Sequence, residues 1–289
     1  MGESDQAPWQ FSPLAVVAES LAFVAANLRD IARWSLAPLA YGLGVYLFMP
    51  ELPGPAGAGG DVPSFLPALF LLAVILLWIR APLELRLYRK VLLNVRPGQF
   101  YGLELVEKRT WAYLWAYVRV ICLCVAACGP ALILSSMLAA PLAGTSLATG
   151  LPEAARTAVP MLGVFLLLAL FLYAVLAPRV VMVFPDVAVN GPGRLFNPGP
   201  GGKGLLGPGP LGEPARKARW RIVAVMALIW GPTHVLNALS YLGDAGGWWK
   251  ELTGSWEFVL VCYLMGFAAM LVSTVAGAVM YRLLRRRAP

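Results

Sequence analysis

Apolar residues run in six long stretches, near 31–50, 63–79, 116–138, 157–177, 222–242 and 257–281. Each comes close to the ~20 residues a helix needs to cross the hydrocarbon core of a bilayer. Charged residues gather between the stretches rather than within them. The pattern predicts an all-α fold, an integral membrane bundle of six transmembrane helices forming one domain over 1–289. A different rhythm precedes the first stretch. Ser12 can cap a helix there, and Pro13 fits its first turn. Leu14, Val17, Leu21, Val24, Leu28 and Ile31 then recur at steps of three and four, while Glu19, Ser20, Asn27 and Asp30 fall largely elsewhere on the wheel. The expected amphipathic helix over 12–30 lies in the membrane interface or packs on a neighbouring helix, and the stripe does not choose between the two.

The connections carry their own signals. A Pro/Gly/Ala-rich loop follows the first span, which itself contains Pro38. The second span is expected to continue as helix past Trp78, because Arg80 and Glu84 stand i,i+4 and can pair. After Pro97 and Gly98 a second polar helix is expected, with Glu104 and Lys108 at the same spacing. It leads into Trp111, Tyr113, Trp115 and Tyr117, an aromatic cluster suited to headgroup depth. Arg119 follows, and its long stem can snorkel back to the interface. Residues 191–215 contain nine glycines and six prolines, a density that predicts an irregular loop without helix or sheet. Trp248, Trp249 and Trp256 mark the opposite interface.

Charge decides the orientation. If connections alternate sides, all 23 basic residues except Arg156 and Lys250 fall on one side. Lys and Arg beside a span resist translocation, so that side is cytoplasmic, with both termini and the 191–215 loop. Hydrophobic residues make up 59% and charged residues 13%, against about 25% charged in an average soluble domain. The net charge of +8 therefore marks anionic lipid headgroups at the cytoplasmic face as partners and not nucleic acid. Glu3 and Asp5 stand where a cleavable signal needs basic residues, so none is expected. Cys122, Cys124, Cys128 and Cys262 all lie inside expected spans. They read as small packing residues, and neither a disulfide framework nor a metal or other cofactor is expected.

Intervals repeat weakly. Ala81-Pro82 precedes Asn94 as Ala177-Pro178 precedes Asn190, and Gly129-Pro130, Gly231-Pro232 and Ala37-Pro38 interrupt the odd-numbered spans. These intervals fit three tandem two-helix hairpins, although similar apolar composition alone can imitate them. The segment from Pro178 and Arg179 through Pro185 and Asp186 to Asn190 resembles the inner end of the fourth helix in uncharacterised bacterial six-helix membrane proteins. The basic Trp-containing run from Arg216 to Arg221 and the approach from Leu103 to Trp115 are similar as well. That family is distantly similar to membrane domains attached to glycerophosphodiester phosphodiesterases. The resemblance implies a bacterial inner-membrane protein but carries over no hydrolytic activity, since no catalytic domain is present. The Gly/Pro-rich 191–215 segment departs from the family pattern.

No HExxH, GK[ST] P-loop or GxSxG elbow occurs, so no catalytic residues are assigned. Two polar constellations remain. Within the fifth span, Thr233, His234, Asn237 and Ser240 follow Pro232, whose missing N–H frees the Leu228 carbonyl. Such broken helices form substrate sites in transporters, though a kinked helix bonded to its neighbours is the simpler reading. At the cytoplasmic ends, Arg80, Glu84, Arg86, Arg179 and Asp186 form either a headgroup site or a set of ion pairs fixing helix ends. The expected function is a non-enzymatic accessory, scaffold or lipid-interacting inner-membrane protein, with a protein partner or a second copy as further candidates. The alternative is a small transporter or channel with its pathway at the Pro130 and Pro232 kinks.

Overall fold

Ser12 starts the first helix as its sequence directs. Its Oγ accepts from the amide of Ala15 at 3.4 Å, and Pro13 occupies the first turn of α1 (Pro13–Ala26). The computed structural model describes residues 11–48, 62–95, 104–139, 172, 175–177, 180–190, 211–243 and 256–285. Among them all regular structure is helical and no strand occurs. The expected fourth span lies mostly outside the described residues, as do 191–210, Trp248 and Trp249.

Asn27 ends α1 by donating its side-chain amide to the Phe23 carbonyl at 2.8 Å, and α2 (Leu28–Phe48) starts at the next residue. The expected apolar stripe of α1 divides. The face against the bundle is built from Val16 and Ser20 with Val17, Phe23 and Val24, whereas Leu14, Leu21 and Leu28 point outward. Ser20 tolerates its burial because its hydroxyl donates to the Val16 carbonyl at 2.7 Å.

The second helix, α2, runs antiparallel to α3 (Val62–Leu93), a register fixed by named pairs. Lys90 Nζ donates to Asp30 at 2.7 Å, Trp34 lies under both Arg86 and Lys90, and Tyr41 Oη reaches the Leu72 carbonyl at 3.5 Å. Pro38 sits inside α2. One turn later Gly42 permits a close approach: a Cβ there would stand 2.0 Å from the Tyr263 hydroxyl. That hydroxyl donates to the Pro38 and Leu39 carbonyls, each at 3.4 Å.

Both α3 and α4 (Lys108–Ala139) have 32 residues, about 48 Å at 1.5 Å per residue, against a hydrocarbon core of about 30 Å. α3 stops at Asn94, whose φ of 51° is the left-handed turn that asparagine tolerates after a helix. The separate polar helix expected before α4 lies mostly outside the described residues; Glu104 is helical, and a turn follows it, closed by the Glu107 amide on the Glu104 carbonyl. Glu104 also passes over Lys108 and pairs with Arg86 at 2.7 Å.

Residues 180–190 form α5. The irregular loop expected through 215 gives way to helix earlier, at α6 (Gly212–Lys217), which Glu213 and Lys217 brace as an i,i+4 pair at 2.7 Å. Buried Ala218 joins α6 to α7 (Arg219–Gly243), and α8 (Trp256–Arg285) follows. The last helix, α8, packs against α1, α3 and α7, while α3 also packs against α2 and α4.

Burial is uneven along these helices. The core gathers at the basic end, from Leu83 and Leu87 on α3, Tyr113 and Ala116 on α4, Met182 on α5, Ile222 and Val225 on α7, and Met270 through Leu284 on α8. Towards the other end, Phe70, Val74, Val125, Ile133, Met137 and Val261 are exposed. Among the described residues one stretch, Leu260–Arg285 with mean hydropathy 1.9, is long and apolar enough to cross a membrane by itself.

Candidate functional site

The basic-end core is built around a buried carboxylate. Glu84 is only 3% exposed, and removing an ionisable group from water is costly unless each acceptor finds a donor. It does so from both sides. Arg80, one turn earlier on α3, donates its Nε to Oε1, while Tyr113 and Tyr117 of α4 donate to Oε2 at 2.6 and 2.7 Å. Phe184 of α5 closes the cluster, 5.1 Å from the Tyr113 ring and 4.5 Å from that of Tyr117. Three helices therefore converge on one charge. Burial pushes the Tyr88 and Tyr113 phenols above their ordinary range, and the negative charge of Glu84 adds to the shift.

A second buried carboxylate repeats the chemistry with separate partners. Asp186 of α5 accepts from Tyr281 of α8 at 2.6 Å and from Asn190 one turn later at 2.6 Å. The remaining charges form a clamp between helices. Arg86, 4% exposed, pairs with Glu104 and lies 5.7 Å from the Trp34 ring centre, with Lys90 at 5.1 Å from the same ring. The Lys90 ammonium holds the Asp30 carboxyl below its ordinary range, first through the hydrogen bond and then through its charge.

The cytoplasmic constellation read from sequence is thus distributed over several internal contacts. Arg80 and Glu84 meet each other, Arg86 turns to Glu104, and Asp186 turns to Tyr281 and Asn190. Arg179 lies outside the described residues. The constellation expected within the fifth span also divides. Thr233 is buried beside Gly266 of α8, while His234 is exposed and stacks on Trp230 with centroids 6.2 Å apart. The side chains of Asn237 and Ser240 lie outside the described residues.

The tyrosines are the partners that sequence reasoning did not assign. The run from Trp111 to Tyr117 reads as one aromatic belt, yet it turns two faces to different surroundings. Trp111 and Trp115 are exposed, and Tyr113 and Tyr117 face inward. Two residues along a helix rotate the side chain by about 200°, so alternate aromatics separate. That spacing was the available signal. Arg119 reaches back one turn and lies over Trp115, 5.6 Å from its ring centre. Comparison with protein-family models, with curated proteins and with solved structures returns no match.

Proposed function

We propose that this is a non-enzymatic, six-helix protein of the bacterial inner membrane, with both termini cytoplasmic, acting as an accessory scaffold that contacts anionic lipid. One observation carries the reading: the long helices change character along their length. Their outer halves present apolar side chains such as Phe70, Val125, Met137 and Val261 outward, and their basic halves enclose a packed, ion-paired core. In water such an apolar surface is unfavourable, whereas in a bilayer it is the required outer face. The helices of about 48 Å then extend past the hydrocarbon and support a rigid stub on the cytoplasmic side.

The carboxylates support a scaffolding role over a chemical one. Both oxygens of Glu84 are engaged by internal donors, and Asp186 is bonded between α5 and α8. These bonds tie helices together and leave neither group in the open position of a general base. A pathway through the fifth span draws less support, because Thr233 turns into the α8 contact while His234 faces away beside Trp230.

Affinity purification from carbonate-washed membranes in mild detergent tests the proposal. The protein is expected to stay with the membranes and to copurify reproducibly with enriched anionic lipid or a protein partner. Release by carbonate, or recovery as a bare monomer without either companion, would overturn it.

A further inference from the structure

One helix is apolar on both sides yet covered by the bundle on only one. α1 contains a single charged residue, Glu19, and that carboxylate is engaged by Arg282 of α8. Its inner face packs through Val16, Ser20 and Val24. Its outer face carries Leu14 and Leu21 at 68% and 52% exposure, with exposed Ala18 between them and Ala25 beyond, and Leu28 at the start of α2 is 61% exposed. A helix apolar all round is one that is buried all round. Something other than water belongs on the second face.

The same surface continues onto α2, where Arg29 and Arg33 are exposed one turn apart and Leu36 is 66% exposed. Asp30 feels the charge of both arginines but gives its hydrogen bond to Lys90, and Glu19 pairs with Arg282. Leucines followed by arginines match the acyl boundary and the phosphates of an anionic leaflet. A second copy fits less well, since an isologous contact would set the same basic patch against itself.

We infer that the outward face of α1 and the first turns of α2 form a docking surface for an anionic lipid leaflet, with Leu14, Leu21 and Leu28 in the acyl boundary and Arg29 and Arg33 on headgroup phosphates. The inference rests on the membrane reading above. It makes α1 a two-sided element, holding α7 and α8 on one face and lipid on the other.

The test uses the full chain with its four native cysteines replaced, a single bimane-labelled cysteine at Leu21→Cys, and nanodiscs of brominated phosphatidylglycerol or brominated phosphatidylcholine. A second label at Val125→Cys, on the exposed apolar face of α4, reports the membrane reading independently. Quenching is expected at both positions. At position 21 phosphatidylglycerol should be preferred, and Arg29→Ala and Arg33→Ala should each weaken that preference about fivefold. Quenching at 125 but not at 21, or spontaneous crosslinking of two Leu21→Cys copies, overturns this inference alone. Quenching at neither position overturns the membrane reading with it.

Discussion

Tyr113 and Glu84 stand on facing helices, and the tyrosine hydroxyl donates to Oε2 of the carboxylate at 2.6 Å. Tyr117 donates to the same oxygen at 2.7 Å, so one atom links two turns of α4 to α3. A hydrogen bond to a charged group contributes about 1.5–3 kcal/mol. Tyr113→Phe is expected to lower thermal stability in detergent by that order. Adding Tyr117→Phe should cost a different amount from the sum of the single changes, because the two hydroxyls share an acceptor. Glu84→Leu should be more damaging than either, since it leaves Arg80 and both hydroxyls without their common partner. Strict additivity in a double-mutant cycle would show that the tyrosines do not act on one carboxylate.

Gly42 offers a purely steric prediction. A methyl group there would meet the Tyr263 hydroxyl at 2.0 Å and its ring carbons at 2.9 and 3.1 Å. Gly42→Ala should therefore destabilise by about 1–3 kcal/mol, the usual cost of overpacking. Tyr263→Phe removes the nearest atom and should recover part of the loss, but not all, because the ring stays close. Thermal melting of the single and double variants reads this directly. Full tolerance of Gly42→Ala would mean that α2 and α8 are not in this contact.

The Asp30–Lys90 pair predicts an acid response. Lys90 lowers the Asp30 carboxyl from its ordinary range, so the native state favours the ionised form. A depressed native value stabilises the fold above the ordinary aspartate range, and that contribution disappears as pH falls through the lowered native value. Melting curves taken from neutral to acid pH should lose less on the acid limb in Asp30→Asn than in the parent. Equal acid slopes would show that the pair is not linked to folding.

Much of the helical layout was legible because it depends on composition. Apolar runs separated by charge marked where helices would form, and the Arg80–Glu84 spacing foretold that α3 continues past residue 79. Contacts between helices were less legible, for identifiable reasons. Glu104 was read against Lys108 one turn away, and only the packing of α3 against α4 brings Arg86 to it instead. The apolar stripe of α1 was wide enough to be turned either way. Its neighbours α7 and α8 chose the Val16–Ser20 edge and left the leucines outside. A serine on the buried face is not an obvious choice from sequence, and it becomes one only once its hydroxyl bonds the Val16 carbonyl.

The central proposal is a six-helix membrane protein whose basic, ion-paired end is cytoplasmic. A single cysteine at Lys203→Cys in a cysteine-free background tests it most directly, because that position lies in the Gly/Pro-rich connection assigned to the cytoplasm. In intact spheroplasts a membrane-impermeant maleimide should leave it unmodified, and labelling should appear only after permeabilisation. Labelling of Lys203→Cys in intact spheroplasts would contradict the topology and the scaffold reading built on it.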